Sequence, residues 1–346
     1  MPSMLQVILR TPAKQENPGL EMKGVRVKAF GDVDQLEIVE LPEPLPDKRE
    51  VVVAVKACGL NYADVMQREG LYPGGSKPPY IAGLEAAGVV ESLGSEVDDP
   101  GGGSLPIGSR VIVLVPGAHA ERVCVDSCAC IGLPQKMSFS EGAAFPVQYL
   151  TAYHCLITLA DAKAGETVLI HAGAGGVGTA AVQISKLLGL RVIVTASTSD
   201  KRAKVLELGA DAAVGYDEFD VASRELTGGR GPDICLESIG GDVFRRSLAI
   251  MPALGRLVVY GAAGREPQPI DTLKLLFRSQ AVLGFHLNAI FERRDLLVSS
   301  LTTLLGWIGE GKLKIQIGHT FPLSEVRKAH ELIESRQSYG KIVLVP

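Results

Sequence analysis

The chain has 346 residues, 46% of them hydrophobic, with 35 Lys and Arg against 39 Asp and Glu for a formal net charge of −4. That length and apolar content allow two domains with real cores and exclude disordered and fibrous classes. The mildly acidic balance offers no basic field for nucleic acid or an anionic membrane, so a small-molecule ligand is expected and nucleic acid is not.

Apolar runs stop short of the ~18 residues that a membrane span needs, and residues 1–20 lack a continuous apolar core followed by a cleavage site, so the expected location is the cytoplasm. Six cysteines, at 58, 124, 128, 130, 155 and 235, are scattered along the chain. They suit small buried side chains better than a disulfide framework.

Residues 1–21 contain MLQVIL and then the polar, proline-bearing TPAKQENPG, and read as an N-terminal extension. From Gly24 the runs GVRVKAF, LEIVELP and VVVAVKACGL are short, rich in β-branched residues and bounded by Gly, Pro and Asp, which is a β pattern. Pro42, Pro44 and Pro46 mark a connecting loop. Residues 61–80 predict a loop with a short helix, GVVESLGSEV a strand and turn, and DDPGGG at 98–103 a loop. Residues 108–115 and 121–125 predict strands, and helical patterns follow at 134–145 and 147–159.

The stretch TVLIHAGAGGVG at 167–178 organises what comes next. Val168, Leu169 and Ile170 suit a strand buried on both faces of a parallel sheet. Gly173, Gly175 and Gly178 then fall into G-x-G-x-x-G spacing: one glycine for the tight turn, one to admit a pyrophosphate, one to let the helix pack on the strand. The helix from Val177 would aim its unpaired N–H groups at phosphate. RVIVTAS at 191–197 supplies the next strand, completing a strand, turn, helix, strand unit.

A site that prefers NAD usually ends this second strand with Asp or Glu for the ribose 2′-hydroxyl. Here it ends in Ser197 and Thr198, with Lys201 and Arg202 following, an arrangement that would accept a 2′-phosphate and so favours NADPH. Asp200 opposes this reading unless it caps a helix at 201–208, which is the expected role. Further sheet strands are predicted at 233–237 and 256–261, an apolar helix at 301–308 for core or subunit contact, a helix at 321–335 opened by Ser324, and a last strand at 341–345. A mainly β first half, a βα repeat and a closing β segment imply an α/β protein whose doubly wound parallel sheet is inserted into a mainly β domain.

Beyond the glycine turn, ACGLNYADVMQREGLYP at 57–73, PPYIAGLEAAGVVESLG at 78–94, AAFPVQYLTAYHCL at 143–156 and SYGKIVLVP at the C-terminal end stand in order at family-like spacing. Together they resemble the medium-chain dehydrogenase/reductase superfamily, in its zinc-free quinone oxidoreductase branch typified by zeta-crystallin. The resemblance implies a GroES-like catalytic domain at 22–148 and 287–346 and a Rossmann domain for NADPH at 149–286, in a homodimer. It also implies that Asn61 and Tyr72 face substrate and nicotinamide, that Thr151 lies near the nicotinamide, and that Gly175, Gly176 and Val177 lie under the pyrophosphate. Ser197, Lys201 and Tyr216 match positions that hold the 2′-phosphate. Tyr260, Gly261 and Phe285 match segments bordering the nicotinamide, and Arg336 a position close to the cofactor.

In the zinc-dependent relatives a cysteine stands where Asn61 stands, and a histidine precedes the glutamate where Leu84 precedes Glu85. Neither Asn nor Leu suits a catalytic zinc, and Cys124, Cys128 and Cys130 lack the C-x2-C spacing of a structural one, so no metal is expected. Reduction of an electron-poor acceptor is then favoured over alcohol oxidation, because the resulting oxyanion needs only hydrogen-bond donors. Tyr62 and Tyr72 are candidate donors, with packing the competing role for Tyr62. Asp64 is either a proton relay or the cap of a helix start, and His286 a structural donor. A quinone is the leading substrate, an enone or alkenal the alternative. A binding role beside vesicle-associated relatives, with NADPH bound and no turnover, is the reading from another class.

Overall fold

The computed structural model describes residues 16–97, 105–266 and 268–346. The loop expected at 98–103 and most of the N-terminal extension therefore lie outside the described residues. The chain divides into two compact units. One runs up to Pro146, returns over Phe291–Arg294 and closes with Ile317–Pro346; the other takes Val147–Ile290 and Asp295–Gln316.

The first unit is mainly β. Its larger sheet runs in the order Ile317–Pro322, Lys341–Val345, Glu50–Leu60, Glu85–Leu93, Arg110–Leu114 and Cys130–Gly132, with Arg122–Asp126 also paired to Glu50–Leu60. The first two strands are parallel and the others antiparallel. Val51, Val53, Ala57, Cys58, Val111, Ile112 and Val343 are fully buried in it. A smaller sheet orders Leu36–Pro44, Glu16–Val27 and Tyr80–Ile81.

This smaller sheet corrects two expectations. Glu16–Glu21 are not part of an appended arm but continue the first strand, with Glu16 opposite Pro44 and Glu21 opposite Pro42. Pro42 and Pro44 therefore sit in a strand rather than a loop, and among the described residues that strand lies at the edge of its sheet, where a missing N–H is tolerated.

The second unit carries six parallel strands in the order Ala212–Val214, Arg191–Thr195, Thr167–Ile170, Ile234–Glu237, Arg256–Val259 and Ala281–Gly284. The chain steps outward from Thr167–Ile170 in one direction and then restarts beside it with Ile234–Glu237, so the switch point of a doubly wound sheet falls between those two strands. Leu169, Ile193, Phe219, Cys235 and Leu257 form one buried cluster, which explains why these strands read as continuous apolar runs.

Residues 295–316 were expected with the β domain and are found here. The helix Arg294–Gly309 is fastened by Ser300 Oγ to His154 Nε2 at 3.1 Å, and Lys314 O accepts from Tyr149 Oη at 2.9 Å and Gln183 Nε2 at 3.0 Å. The helix predicted at 147–159 is α-helical over Pro146–Tyr153 and π-helical over His154–Leu159. Near the C-terminal end Ser324 does not cap: a tight turn at Leu323–Glu325 leads into the helix Val326–Glu334. Among the described residues no helix is long and apolar enough to cross a membrane.

Candidate functional site

The glycine turn separates what the protein's own packing demands from what a ligand would demand. A β-carbon on Gly173 would lie 2.0 Å from Val194 Cγ1, one on Gly176 2.2 Å from Gln148 Oε1 and one on Gly178 2.4 Å from Ala172 O. Close approach within the second unit fixes Gly173 and Gly178, whereas at Gly176 the neighbour is the movable end of the Gln148 side chain. At Gly175 the same atom would meet only Ala172 O, at 3.2 Å, so the space above it is open and suits a group arriving from outside. Gly175 precedes the helix Gly176–Leu187 in extended backbone, and the first N–H groups of that helix, Val177 among them, present a positive dipole end to an anion.

Tyr216 is tied to this turn: its hydroxyl accepts from Ala172 N–H at 3.1 Å. His171 stacks on its ring at 6.2 Å with an 18° interplanar angle, held by Thr195 Oγ1 at 3.0 Å and Ser247 Oγ at 2.7 Å. Arg246 donates to the carbonyls of Tyr216 and Asp217 and pairs with Asp220. His171 and Arg246 are the supports that sequence reasoning did not identify, since only the fold brings them beside Tyr216.

At the end of Arg191–Thr195, Ser197 and Thr198 are exposed. Thr198, not Asp200, caps the next helix: its extended backbone sets Oγ1 3.3 Å from Lys201 N, and Asp200 falls inside the first turn of Ser199–Glu207. Burial and then the neighbouring Lys204 charge hold the Lys201 ammonium below its ordinary pKa. Tyr260 and Gly261 follow Arg256–Val259, and Phe285 follows Ala281–Gly284 with its ring stacked 6.1 Å from that of His154. The glycine turn, Ser197, Tyr216, Tyr260 and Phe285 all leave carboxyl ends of parallel strands, so parallelism alone gathers them at one edge. Thr151 is buried in Pro146–Tyr153. Arg336 belongs instead to the first unit, exposed and in left-handed backbone with φ 58°.

In the first unit Asn61 stands at the junction of Glu50–Leu60 and the helix Tyr62–Arg68. Its backbone N–H donates to Asp64 Oδ2 at 2.7 Å, while Asp64 N–H donates to Asn61 O at 3.0 Å; Asp64 thus ties off the helix start. The Asn61 side chain lies in a buried network. Nδ2 donates to Glu85 Oε1 at 2.8 Å, and Lys341 Nζ donates to Asn61 Oδ1 at 2.6 Å and to Glu85 Oε1. Gly59 makes room, since a β-carbon there would lie 2.8 Å from Lys341 Cε and 2.3 Å from Ala143 O. His119 Nε2 approaches Gly59 O at 3.2 Å. Tyr62 and Tyr72 are half-buried, and burial followed by the Asp64 charge raises the Tyr72 hydroxyl pKa. Lys341 was missed at the sequence level; the signal was a lysine heading the otherwise apolar strand KIVLV.

Known proteins place this arrangement. The alcohol dehydrogenase GroES-like domain family matches residues 47–155, and the zinc-binding dehydrogenase family matches residues 176–302. A probable quinone oxidoreductase of Schizosaccharomyces pombe is 34% identical over 93% of this chain and 96% of its own length. The chain belongs to the quinone oxidoreductase branch of the medium-chain dehydrogenase/reductase superfamily. It is an oxidoreductase with the two-domain α/β fold of that superfamily. The quinone oxidoreductase of Thermus thermophilus, solved also as its complex with NADPH, is similar with a TM-score of 0.81 and 38% identity over 94% of this chain and 100% of that one. A synaptic vesicle membrane protein VAT-1 homolog of Danio rerio is 32% identical over 91% of this chain and 68% of its own length.

Among the described residues no group of three or more His, Cys, Asp or Glu is gathered as a metal would require. Instead the site's electrostatics rest on burial. Burial raises the Asp64 carboxyl pKa to about 7, against the pull of the Asn61 N–H and the Lys341 charge. Burial lowers His119 and His154 to about 4, and burial with the Arg246 charge lowers His171 to about 3.

These shifts have opposite signs of linkage. The depressed histidines contribute stability that is present above their ordinary value of 6.5 and lost as pH falls towards 4 and then 3. Asp64 contributes stability that is present below 3.8 and lost as pH rises through about 7. Urea midpoints measured from pH 3 to 8 should therefore drop on the acid side, and Asp64→Asn, which removes the one contribution that opposes the histidines, should steepen the rise between about 4 and about 7. An unchanged slope in that stretch would refute the buried carboxyl.

Proposed function

We propose that this protein is an NADPH-dependent, zinc-independent reductase of quinones, working in the cytoplasm as a homodimer. The observation that carries the chemistry is the Lys341 ammonium seated on Asn61 and Glu85, which uses these side chains for a hydrogen-bonded ion pair and leaves them unsuited to ligate a catalytic zinc. Oxidation of an alcohol by way of a metal-bound alkoxide then has no support, whereas a conjugated acceptor needs no Lewis acid.

Gly175, Gly176 and Val177 would hold the pyrophosphate on the turn that Gly173 and Gly178 shape, and Ser197, Thr198, Lys201 and Tyr216 would hold the 2′-phosphate. Thr151, Tyr260, Gly261, Phe285 and Arg336 would border the remainder. Bound there, NADPH supplies a hydride, and a quinone that accepts it takes up one further proton to become the quinol. In the first unit Asn61, Tyr62 and Tyr72 are the donors proposed to meet the acceptor's oxygens, with Asp64 behind them.

Subunit pairing is supported by the edge of the parallel sheet. Ala281–Gly284 is an outermost strand, and just before it the helix Thr272–Arg278 exposes Leu273 (63%), Leu276 (67%) and Phe277 (83%). A second copy of the chain would cover both the open strand edge and this apolar face.

Steady-state NADPH oxidation with phenanthrenequinone and with an alkenal tests the reaction. Faster turnover of the quinone is expected; preference for the alkenal would move the protein to double-bond reduction, and tight NADPH binding with neither turned over would favour the binding role. Lys201→Ala should weaken NADPH by about tenfold, the equivalent of one charge-assisted hydrogen bond, and leave NADH unchanged; equal losses would remove the 2′-phosphate assignment. Sedimentation should give twice the chain mass of 36.6 kDa, and Phe277→Asp should halve it. A wild-type chain sedimenting as one copy would refute the pairing.

A further inference from the structure

The carboxamide of Asn61 has two ends that are nearly alike in shape and opposite in chemistry: an oxygen that accepts and an amino group that donates. Where neighbours do not discriminate between them, a half-turn of the amide exchanges the two. Here they discriminate. Lys341 Nζ, which can only donate, lies 2.6 Å from Oδ1. Glu85 Oε1, an acceptor when ionised, lies 2.8 Å from Nδ2. Reversing the amide would set amino group against ammonium and oxygen against carboxylate.

Water offers no way out of this constraint, since the Lys341 and Glu85 side chains are 2% and 0% exposed and are paired with each other. The backbone of Asn61 is pinned as well, through Asp64 Oδ2. One Asn61 N–H is used on Glu85, and the direction of the second is then set by the same lock.

We propose that Lys341 is a positioning residue. Its ammonium fixes the polarity of the Asn61 carboxamide so that the amide presents its second N–H, never its oxygen, to an acceptor oxygen that gains negative charge during reduction. The proposal rests on the reductase reading above and extends it to a residue 280 positions away from the one it orients. Lysine suits this role because a compact ammonium is a pure donor, and its pairing with Glu85 keeps the buried site neutral. The ligand class is a conjugated carbonyl, and a ring or chain attached to it is of no consequence to this contact.

Lys341→Met alone would strand a buried Glu85 charge and endanger folding, so the decisive variant combines it with Glu85→Gln. The pair then carries no charge, an amide oxygen remains for Asn61 Nδ2, and nothing enforces the amide's polarity. In the full chain at saturating NADPH this variant should lose at least about tenfold in kcat for phenanthrenequinone, the scale of a displaced oxyanion donor. KM and the NADPH dissociation constant should stay within about threefold, because an orienting contact acts on the reacting state and not on cofactor binding. Lys341→Arg should recover part of the loss.

The second readout is the Asn61 side-chain amide pair in ¹⁵N spectra, assigned by its disappearance in Asn61→Asp. It should be resolved and protected from water exchange in the wild type and exchange at least about tenfold faster in the double variant. Wild-type kcat in the double variant overturns the proposal, as do unchanged Asn61 resonances, or a fall in kcat matched by an equal fall in NADPH affinity, which would mark a merely structural role. If the wild-type chain reduces neither a quinone nor an enone, the reductase reading falls, and the Asn61 resonances alone then decide whether Lys341 sets the amide.

Discussion

A lysine ammonium buried against a carboxylate is the interaction on which the first unit depends. Lys341 comes from the last strand, Glu85 from the middle of the sheet and Asn61 from the end of the strand between them, so one cluster fastens three segments that are far apart in sequence. Such a pair adds little net stability over an apolar replacement, but removing one member leaves a desolvated charge and costs about 3–5 kcal/mol. Its value lies in specification: it allows one rotamer of Lys341, one orientation of the Asn61 amide and, at Gly59, one residue small enough to let the lysine stem pass.

The second unit reaches specificity by other means. Its edge is organised by backbone direction, since parallel strands send every following turn the same way, and by aromatic and hydrogen-bonded supports behind Tyr216. His171 bridges two hydroxyls and lies against an aromatic ring, and burial with the Arg246 charge keeps it neutral there. The support behind the cradle is therefore also one of the imidazoles that govern stability on the acid side.

Much of this was legible in the sequence where a local pattern carried the constraint. VLI and VIV read as buried parallel strands because both faces are covered, and the glycine spacing marked the turn between them. What was not legible depended on partners. Pro42 and Pro44 look like loop residues until the strand that bears them is known to lie at an edge. The helix at 294–309 is apolar on a face that could bury itself in either unit, and only His154, Tyr149 and Gln183 decide which. Asp200 and Thr198 are both good caps by type, and the backbone angles chose the threonine. Lys341 was hidden most completely, because nothing within its own strand explains a charge.

The position of Lys341–Val345 inside the larger sheet, between Ile317–Pro322 and Glu50–Leu60, also sets an order of events during synthesis. The ribosome delivers the parallel-sheet unit whole while the β unit, begun first, still lacks two neighbouring strands and the counter-ion of Glu85. At about 5–20 residues per second that wait spans the translation of more than 200 residues, the interval from Leu93 to Ile317. Within it the Glu50–Ala54 end of the strand Glu50–Leu60 can already pair with Arg122–Asp126, while its Cys58–Leu60 end, beside Asn61, stays without the partner that only Lys341–Val345 supplies.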